Sequence, residues 1–214
     1  MKWKVLNLYA GIGGNRKLWK DVDVTAVEWD GKIAKIYRDF FPNDKVIVAD
    51  AHKFLLEHFD EFDFIWSSPP CPTHSRINFL NNCKEEKGIR PKFPDMKLYE
   101  EIIFLSYWFK GFWVVENVVS YYKPLIKPYK SGSHYFWANF HISKVDDIKR
   151  GIRENLNFVS EKVGFNLDKY TNIPKRTILN NCVEPELGLH ILKCARKQSQ
   201  KSLDRFVKGD INDK

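Results

Sequence analysis

The sequence predicts an α/β domain with a mostly parallel sheet and helices on both faces. Short apolar runs, typical of strands that are buried on both sides, alternate along the chain with helical segments. Several of these runs are followed by glycines, an acid or a cysteine, at the sheet edge where such folds bind ligands. The length of 214 residues suits one domain, so we assign residues 1–214 to a single unit.

The apolar runs predict strands at residues 5–9, 22–30, 46–50, 62–66, 112–118 and 134–142. Amphipathic spacing predicts a helix over residues 95–108, with its aromatic residues in the core. Residues 15–20 are also helix-like. No run is long and apolar enough to span a membrane, and no secretory signal is visible, so we expect an intracellular, cytoplasmic protein.

A glycine turn, Ala-Gly-Ile-Gly-Gly at residues 10–14, follows the first strand. Strand, glycine turn and helix open many nucleotide-binding units, because glycine allows close approach of the backbone to a ligand. Arg16 stands where a dinucleotide site has its third glycine, which weakens a dinucleotide interpretation. A tight connection without a ligand explains the turn equally well.

Acidic residues end the next two strands. Glu28 can accept hydrogen bonds from both ribose hydroxyls of a nucleoside, and Asp50 can accept from an adenine amino group. For Asp50 alone a helix N-cap is the simpler role, since aspartate often caps the helix after a strand. Together with the glycine turn, the two acids describe a pocket for an adenosine-containing cofactor.

Cys71 lies in the run Pro-Pro-Cys-Pro after the strand at residues 62–66. Prolines fix the backbone there, and the carboxyl end of a strand suits a nucleophile, although a small buried thiol is the alternative. Glu116 ends another apolar strand on the same predicted edge, and burial favours its neutral form. A neutral carboxyl beside a cysteine makes an acid–nucleophile pair.

Taken together, the motifs resemble those of the C5-cytosine-specific DNA methyltransferase family. Residues 8–14 resemble its first cofactor motif, with Tyr9 in place of Phe, and residues 69–71 its catalytic loop. Residues 116–118 and 181–188 resemble its acid motif and closing motif. The resemblance implies a Rossmann-like fold that uses S-adenosyl-L-methionine, and Cys71 distinguishes it from amino-group methyltransferases, which carry Tyr or Trp after Pro-Pro.

The resemblance also implies a role for each matching residue. Cys71 attacks C6 of a flipped-out cytosine, Glu116 serves N3, and the methyl group is transferred to C5. The residues expected to bind the cofactor are Tyr9, Ala10, Gly11, Gly13, Gly14, Glu28, Trp29, Asp50, Ala51, Pro70, Asn181 and Val183. No metal site or disulfide framework is expected from the spacing of the four cysteines, Cys71, Cys83, Cys182 and Cys194.

Composition favours a nucleic-acid partner. The chain has 35 Lys and Arg against 27 Asp and Glu, and the net charge of +8 favours phosphate contacts. Residues 73–97 read as a long loop that closes on double-stranded DNA, since such loops in compact domains are usually functional, although a disordered surface loop is the alternative. The residues expected to contact DNA are Ser75, Arg76, Arg90 and Lys92.

Two departures from the family pattern affect the target base. His134 stands near the place of an expected Arg, where a protonated imidazole can donate to the cytosine O2; a surface histidine is the alternative. Residues 143–172 replace a target-recognition domain and are too few to form one. The recognised DNA sequence must then be short, or its recognition must depend on residues 73–97 or on a second subunit. Phosphate contacts or a solvated surface explain the basic residues of this stretch, Arg150, Arg153, Lys162 and Lys169.

We therefore predict a DNA (cytosine-5-)-methyltransferase, of a kind used in restriction–modification or viral self-protection. Three alternatives stay open at this point: the same chemistry on RNA, a DNA- or cofactor-binding subunit with little activity of its own, and a different modification at C5.

Overall fold

A computed structural model of the chain describes residues 2–82, 92–144 and 155–209. Within these residues, one seven-stranded sheet has the order β3-β2-β1-β4-β5-β7-β6. Its strands are β1 (Trp3–Leu8), β2 (Val22–Glu28), β3 (Lys45–Val48), β4 (Phe64–Ser67), β5 (Phe112–Val118), β6 (Tyr129–Ser131) and β7 (His134–Ala138). The helices are α1 (Gly31–Phe40), α2 (Ala51–His58), α3 (Arg76–Asn82), α4 (Lys97–Trp108), α5 (Leu156–Val163), α6 (Lys175–Asn180) and α7 (Pro185–Gly209).

The first five strands of the chain pair in parallel, and β7 pairs antiparallel with both β5 and β6. Alternate side chains of the strands enter two cores, one on each face. On one face Trp66 packs in a cluster with Ile191 of α7, and on the other Ile65 packs in a cluster with Ile102 of α4. The predicted Rossmann-like fold, with helices on both faces of a mostly parallel sheet, is confirmed.

Residues 14–18 form consecutive turns and residues 19–20 form no regular element, so the helix expected at residues 15–20 is wrong. The side-chain amide of Asn15 donates to Asn7 at 2.8 Å inside the core. Gly188 lies so close that a Cβ on it would be 2.3 Å from the carbonyl oxygen of Asn15. These tertiary contacts hold the segment in turns that local propensity does not favour. The strand expected at residues 134–142 is also shorter, because β7 ends at Ala138.

Part of the predicted loop at residues 73–97 is the helix α3. The ring of Phe79 on this helix stacks on Tyr121, with ring centroids 4.3 Å apart and planes 6° apart. This apolar contact stabilises the short helix. It is a tertiary contact, which the loop prediction did not take into account. Residues 83–91 lie outside the described part of the chain, and Cys83 and Arg90 with them.

The described part of the stretch at residues 143–172 joins the main core. Val159 and Val163 of α5 pack in one cluster with Ile36 of α1 and Leu179 of α6. Arg150 and Arg153 lie outside the described residues. No helix in the described ranges combines the length and apolarity that a membrane crossing requires.

Candidate active site

The carboxyl ends of four parallel strands form one edge of the sheet. Leu8 of β1 is paired with Val27 of β2 and with Ser67 of β4, and Ser67 is paired with Val115 of β5. The glycine turn, Glu28, the Pro-Pro-Cys loop and Glu116 all follow or end these strands. The register therefore brings the cofactor motif and the catalytic motifs of the sequence to the same edge.

Glu116 and His134 are diagonal neighbours on adjacent strands. Phe136 of β7 is opposite Glu116, and His134, two residues earlier, shares its face of the sheet. Nδ1 of His134 lies 2.6 Å from Oε1 of Glu116, and the side chains are 10% and 9% exposed. Nε2 of His134 is buried and has no hydrogen-bond partner in the described residues. Histidine at this position therefore lies inside the site rather than on the surface.

A second carboxyl extends this pair. Oε2 of Glu184, which directly precedes α7, lies 4.0 Å from Nε2 of His134. Oε1 of Glu184 lies 3.8 Å from Nζ of Lys162 on α5. The sequence interpretation of Lys162 as a phosphate contact or solvated charge is wrong, since this side chain is 20% exposed and faces a buried carboxyl. Glu184 was missed, because nothing in the sequence separates it from a first-turn helix acid.

Hydrogen bonds fix the loop that carries Cys71. The side-chain amide of Asn117 donates to the carbonyl oxygen of Pro69 at 2.9 Å, which ties the loop to β5. The carbonyl oxygen of Cys71 accepts from the backbone N–H groups of His74 and Ser75. Burial, and then the negative charge of Glu116, raise the pKa of the Cys71 thiol. The thiol is therefore mostly protonated at neutral pH, and Glu116 is near enough to act on it.

Glu28 is held with both oxygens facing the glycine turn and the start of α1. Oε2 accepts from the backbone N–H of Gly11 at 2.9 Å, and Oε1 from that of Asp30 at 3.0 Å. Each oxygen keeps acceptor capacity, so the carboxylate can still bind two hydroxyl groups. Gly11 has a φ of +55°, and the position of its absent Cβ faces open space. Trp29 is 74% exposed and offers an aromatic face beside this space. These residues fit an adenosine group.

The other two glycines of the turn serve packing. A Cβ on Gly13 would lie 2.4 Å from the ring of Phe41, and one on Gly14 would lie 2.7 Å from both Cβ of Cys182 and the carbonyl oxygen of Val183. The closing motif is therefore packed directly on the glycine turn. Within that motif Val183 is buried, whereas Asn181 is exposed at the end of α6.

Asp50 has the simpler of its two expected roles in the structure. Its Oδ1 accepts from the backbone N–H groups of His52 and Lys53, which caps α2. The bond from Lys53, partly opposed by burial, lowers the pKa of the Asp50 carboxyl. Ala51 begins the capped helix and is buried. Ala10 is fixed by the bond from its backbone N–H to the carbonyl oxygen of Val27.

Sequence reasoning missed a fully buried carboxyl, Glu101 of α4. It accepts from the hydroxyl of Tyr9 at 2.6 Å and from that of Ser67 at 2.5 Å, and it contacts Nδ1 of His52 at 3.0 Å. The hydrogen bond to Glu101 raises the pKa of His52, while burial and Glu101 raise that of Tyr9. The signal in the sequence that could have identified Glu101 is its place on the apolar face of the predicted helix, between Leu98 and Leu105.

Residues 3–103 match the family model described as C-5 cytosine-specific DNA methylase. Over this segment the chain is similar to that family. The resemblance predicted from the sequence is confirmed over these residues. Comparison with curated protein sequences found no match.

Comparison with solved structures returned methyltransferases of low identity. The putative methyltransferase yhhF from Escherichia coli is 17% identical, with a TM-score of 0.41 and an alignment that covers 64% of this chain and 74% of that one. A mutant of DNMT2 from Spodoptera frugiperda is 24% identical, with a TM-score of 0.38, and the alignment covers 54% of this chain and 35% of that one.

The residues expected to contact DNA do not all lie together in the described structure. Ser75 forms an isolated bridge with Ser120, and Nε of Arg76 donates to the carbonyl oxygen of Ser120 at 3.0 Å. Both residues therefore lie beside the catalytic loop. Pro70, next to Cys71, and Lys92 are exposed, and Arg90 lies outside the described residues.

Proposed function

We propose that this chain is a DNA cytosine-5 methyltransferase that forms a covalent bond between Cys71 and C6 of the target base. One observation carries the proposal: the loop of Cys71 follows β4, which pairs in parallel with β5, and Asn117, next to Glu116, ties that loop to β5 through the carbonyl oxygen of Pro69. A nucleophile and a buried acid at one sheet edge suit covalent catalysis with acid assistance. The family match of residues 3–103 supports the same class of reaction.

The residues of the chain perform the proton and bond changes at the pyrimidine. Cys71 gives its proton to solvent, the Sγ–C6 bond forms, and the electron pair of the C5–C6 double bond moves to C5. Glu116 donates a proton to N3, which neutralises the charge that develops in the ring. Nε2 of His134, a buried nitrogen without a partner in the described residues, donates to O2. After C5 has been methylated, loss of the C5 proton to solvent, return of the N3 proton to Glu116 and expulsion of the Cys71 thiolate restore the aromatic ring.

S-adenosyl-L-methionine is the proposed cofactor, and it would supply the methyl group for C5. Glu28 accepts the ribose hydroxyls, Trp29 covers the adenine and Asp50 accepts from its amino group. The residues proposed to line the remainder of this pocket are Tyr9, Ala10, Gly11, Gly13, Gly14, Ala51, Pro70, Asn181 and Val183.

Double-stranded DNA is the proposed substrate, and the base must be flipped out to reach Cys71, at a cost of a few kcal/mol. The net charge of +8 favours phosphate binding. Ser75, Arg76, Arg90 and Lys92 are the proposed contacts. A second subunit that supplies target recognition, and a role in restriction–modification within the cell, belong to the same proposal.

The test is covalent trapping with duplex DNA that carries 5-fluorocytosine, because fluorine cannot leave as a cation and the adduct persists. With S-adenosyl-L-methionine present, we expect mass spectrometry to find the adduct on Cys71, and Cys71→Ala to form none while it keeps its cofactor affinity. Wild-type turnover of Cys71→Ala, or an adduct on Cys83, Cys182 or Cys194, overturns the mechanism. Trapping on fluorinated tRNA but not on duplex DNA overturns the DNA substrate.

A further inference from the structure

We propose that Glu184 is a positioning residue that holds His134 as a cation beside Glu116, and that Lys162 limits the effect of its charge; this inference rests on the proposed function. Four side chains of alternating charge type follow one another: the carboxyl of Glu116, the imidazole of His134, the carboxyl of Glu184 and the ammonium of Lys162. The successive distances are 2.6, 4.0 and 3.8 Å.

Burial makes the alternation important. The exposed fractions of the Glu116, His134 and Glu184 side chains are 9%, 10% and 6%. A charge removed from water to this degree is unfavourable unless a charge of opposite sign lies next to it. An imidazolium meets this condition when its Nε2 faces the Glu184 carboxylate and its Nδ1 donates to the protonated carboxyl of Glu116. A neutral ring with an unprotonated Nε2 would face Glu184 with a lone pair.

The groups that face the imidazole come from every element packed around it. Glu116 lies on β5, Glu184 precedes α7, Lys162 reaches Glu184 from α5, and Cys71 lies beyond Glu116 on the loop after β4. Glu184 alone among them places a negative charge at Nε2. It therefore keeps that nitrogen protonated and leaves Nδ1 as the nitrogen that exchanges a proton with Glu116.

In this arrangement His134 can replace the proton that Glu116 donates to the base. As Glu116 gives its proton to N3 of the base, the proton on Nδ1 of His134 passes to Glu116. His134 becomes neutral and keeps the proton on Nε2, the nitrogen directed to Glu184 and proposed to bind O2. The same protons return in reverse order when Cys71 leaves. Lys162 makes the arrangement depend on α5, in the stretch that stands in place of a recognition domain.

The pH profile of methyl transfer tests the inference with the full chain and duplex DNA. In Glu184→Gln we expect the alkaline limb to move to lower pH by about one unit, so that the rate at pH 8 falls roughly tenfold more than the rate at pH 6. In Lys162→Met the limb moves to higher pH, because the positive charge of Lys162 no longer opposes protonation of His134. Glu184→Asp, which keeps the charge, restores part of the wild-type profile.

Lys169→Met is the matched control, since Lys169 pairs with Asp39 at 3.2 Å on the surface, with 65% of its side chain exposed. It removes the same charge from a neighbouring segment, and its pH profile should superimpose on that of the wild type. A wild-type profile for Glu184→Gln overturns the role of Glu184, and one for Lys162→Met overturns that of Lys162.

An NMR measurement separates this inference from the proposed function. Histidine-labelled protein, with the His134 signal assigned from His134→Asn, reports the charge of the ring without DNA or cofactor. We expect the wild-type ring to be more cationic at pH 7 than the ring of Glu184→Gln, and equal ring charge in the two overturns the inference. If this result holds but fluorinated DNA forms no adduct, the proposed function fails, whereas the effect of Glu184 on the charge of His134 stands.

Discussion

Glu101 and Glu116 are both buried carboxyls near the same edge of the sheet, but they lie on opposite faces and differ in their neighbours. Glu101 is bonded to Tyr9, Ser67 and His52. Among the described residues, the side chain of Glu116 is hydrogen-bonded to His134 alone. Glu101, which contacts three side chains, joins elements of the fold. Glu116 can still accept a hydrogen bond from a ligand. The two carboxyls are both buried, so the difference on which the proposed role of Glu116 rests is the number of their partners.

The largest expected effect separates the two carboxyls by activity. Glu116→Gln should lower turnover by roughly 10²–10⁴-fold, because the amide cannot donate an acidic proton to the base. Methyl transfer to duplex DNA measures it, with the melting temperature as a check that the fold is kept. Turnover within a factor of two of the wild type would reduce Glu116 to a structural residue and remove the contrast with Glu101.

The reverse experiment concerns stability. Glu101→Gln should lower the free energy of unfolding by about 1–3 kcal/mol, because an amide nitrogen replaces one acceptor oxygen and leaves a buried donor unpaired. Urea denaturation measures the change. The control is Glu100→Gln, since Glu100 is the adjacent acid on α4 and 61% exposed. A loss as large in the control as in Glu101→Gln would contradict the assignment.

A smaller effect concerns the pKa of Cys71, which Glu116 influences. The charge of Glu116 helps to raise the pKa of the Cys71 thiol, so Glu116→Gln should lower that pKa and increase the thiolate fraction at neutral pH. We expect iodoacetamide to alkylate Cys71 roughly three- to tenfold faster, as quantified by peptide mass spectrometry. Cys194 in the same sample is the internal control. Slower alkylation of Cys71 would show that Glu116 does not repel the thiolate.

The smallest effect is a pH dependence of stability on the Glu101 side. Hydrogen bonding to Glu101 raises the pKa of His52 in the folded state above its ordinary value of 6.5. The contribution of this pair is therefore fully present below pH 6.5 and is lost as the pH rises through the folded value. His52→Asn should flatten this part of the curve of unfolding free energy against pH. A steeper decline in the variant would contradict the sign.

The parallel strands were the most predictable part of the fold. A strand buried on both faces has a continuous apolar run, and β5 has the bounds predicted from its sequence. The segment at residues 15–20 was not predictable, since its turns depend on Gly188, which is distant in sequence. Within the site, the single-residue signals of Cys71 and Glu116 were visible, whereas Glu184 gains its meaning only from the fold that brings it to His134.

The contacts between the N-terminal segment and the closing motif can form only after both have been synthesised. The indole nitrogen of Trp19 donates to the carbonyl oxygen of Gly188 at 3.1 Å, across 169 residues of sequence. A ribosome releases the glycine turn first and supplies its packing partner only after a further 169 residues, counted from Trp19 to Gly188. A nascent chain that has not yet reached Gly188 therefore lacks the contacts that hold the N-terminal segment in place.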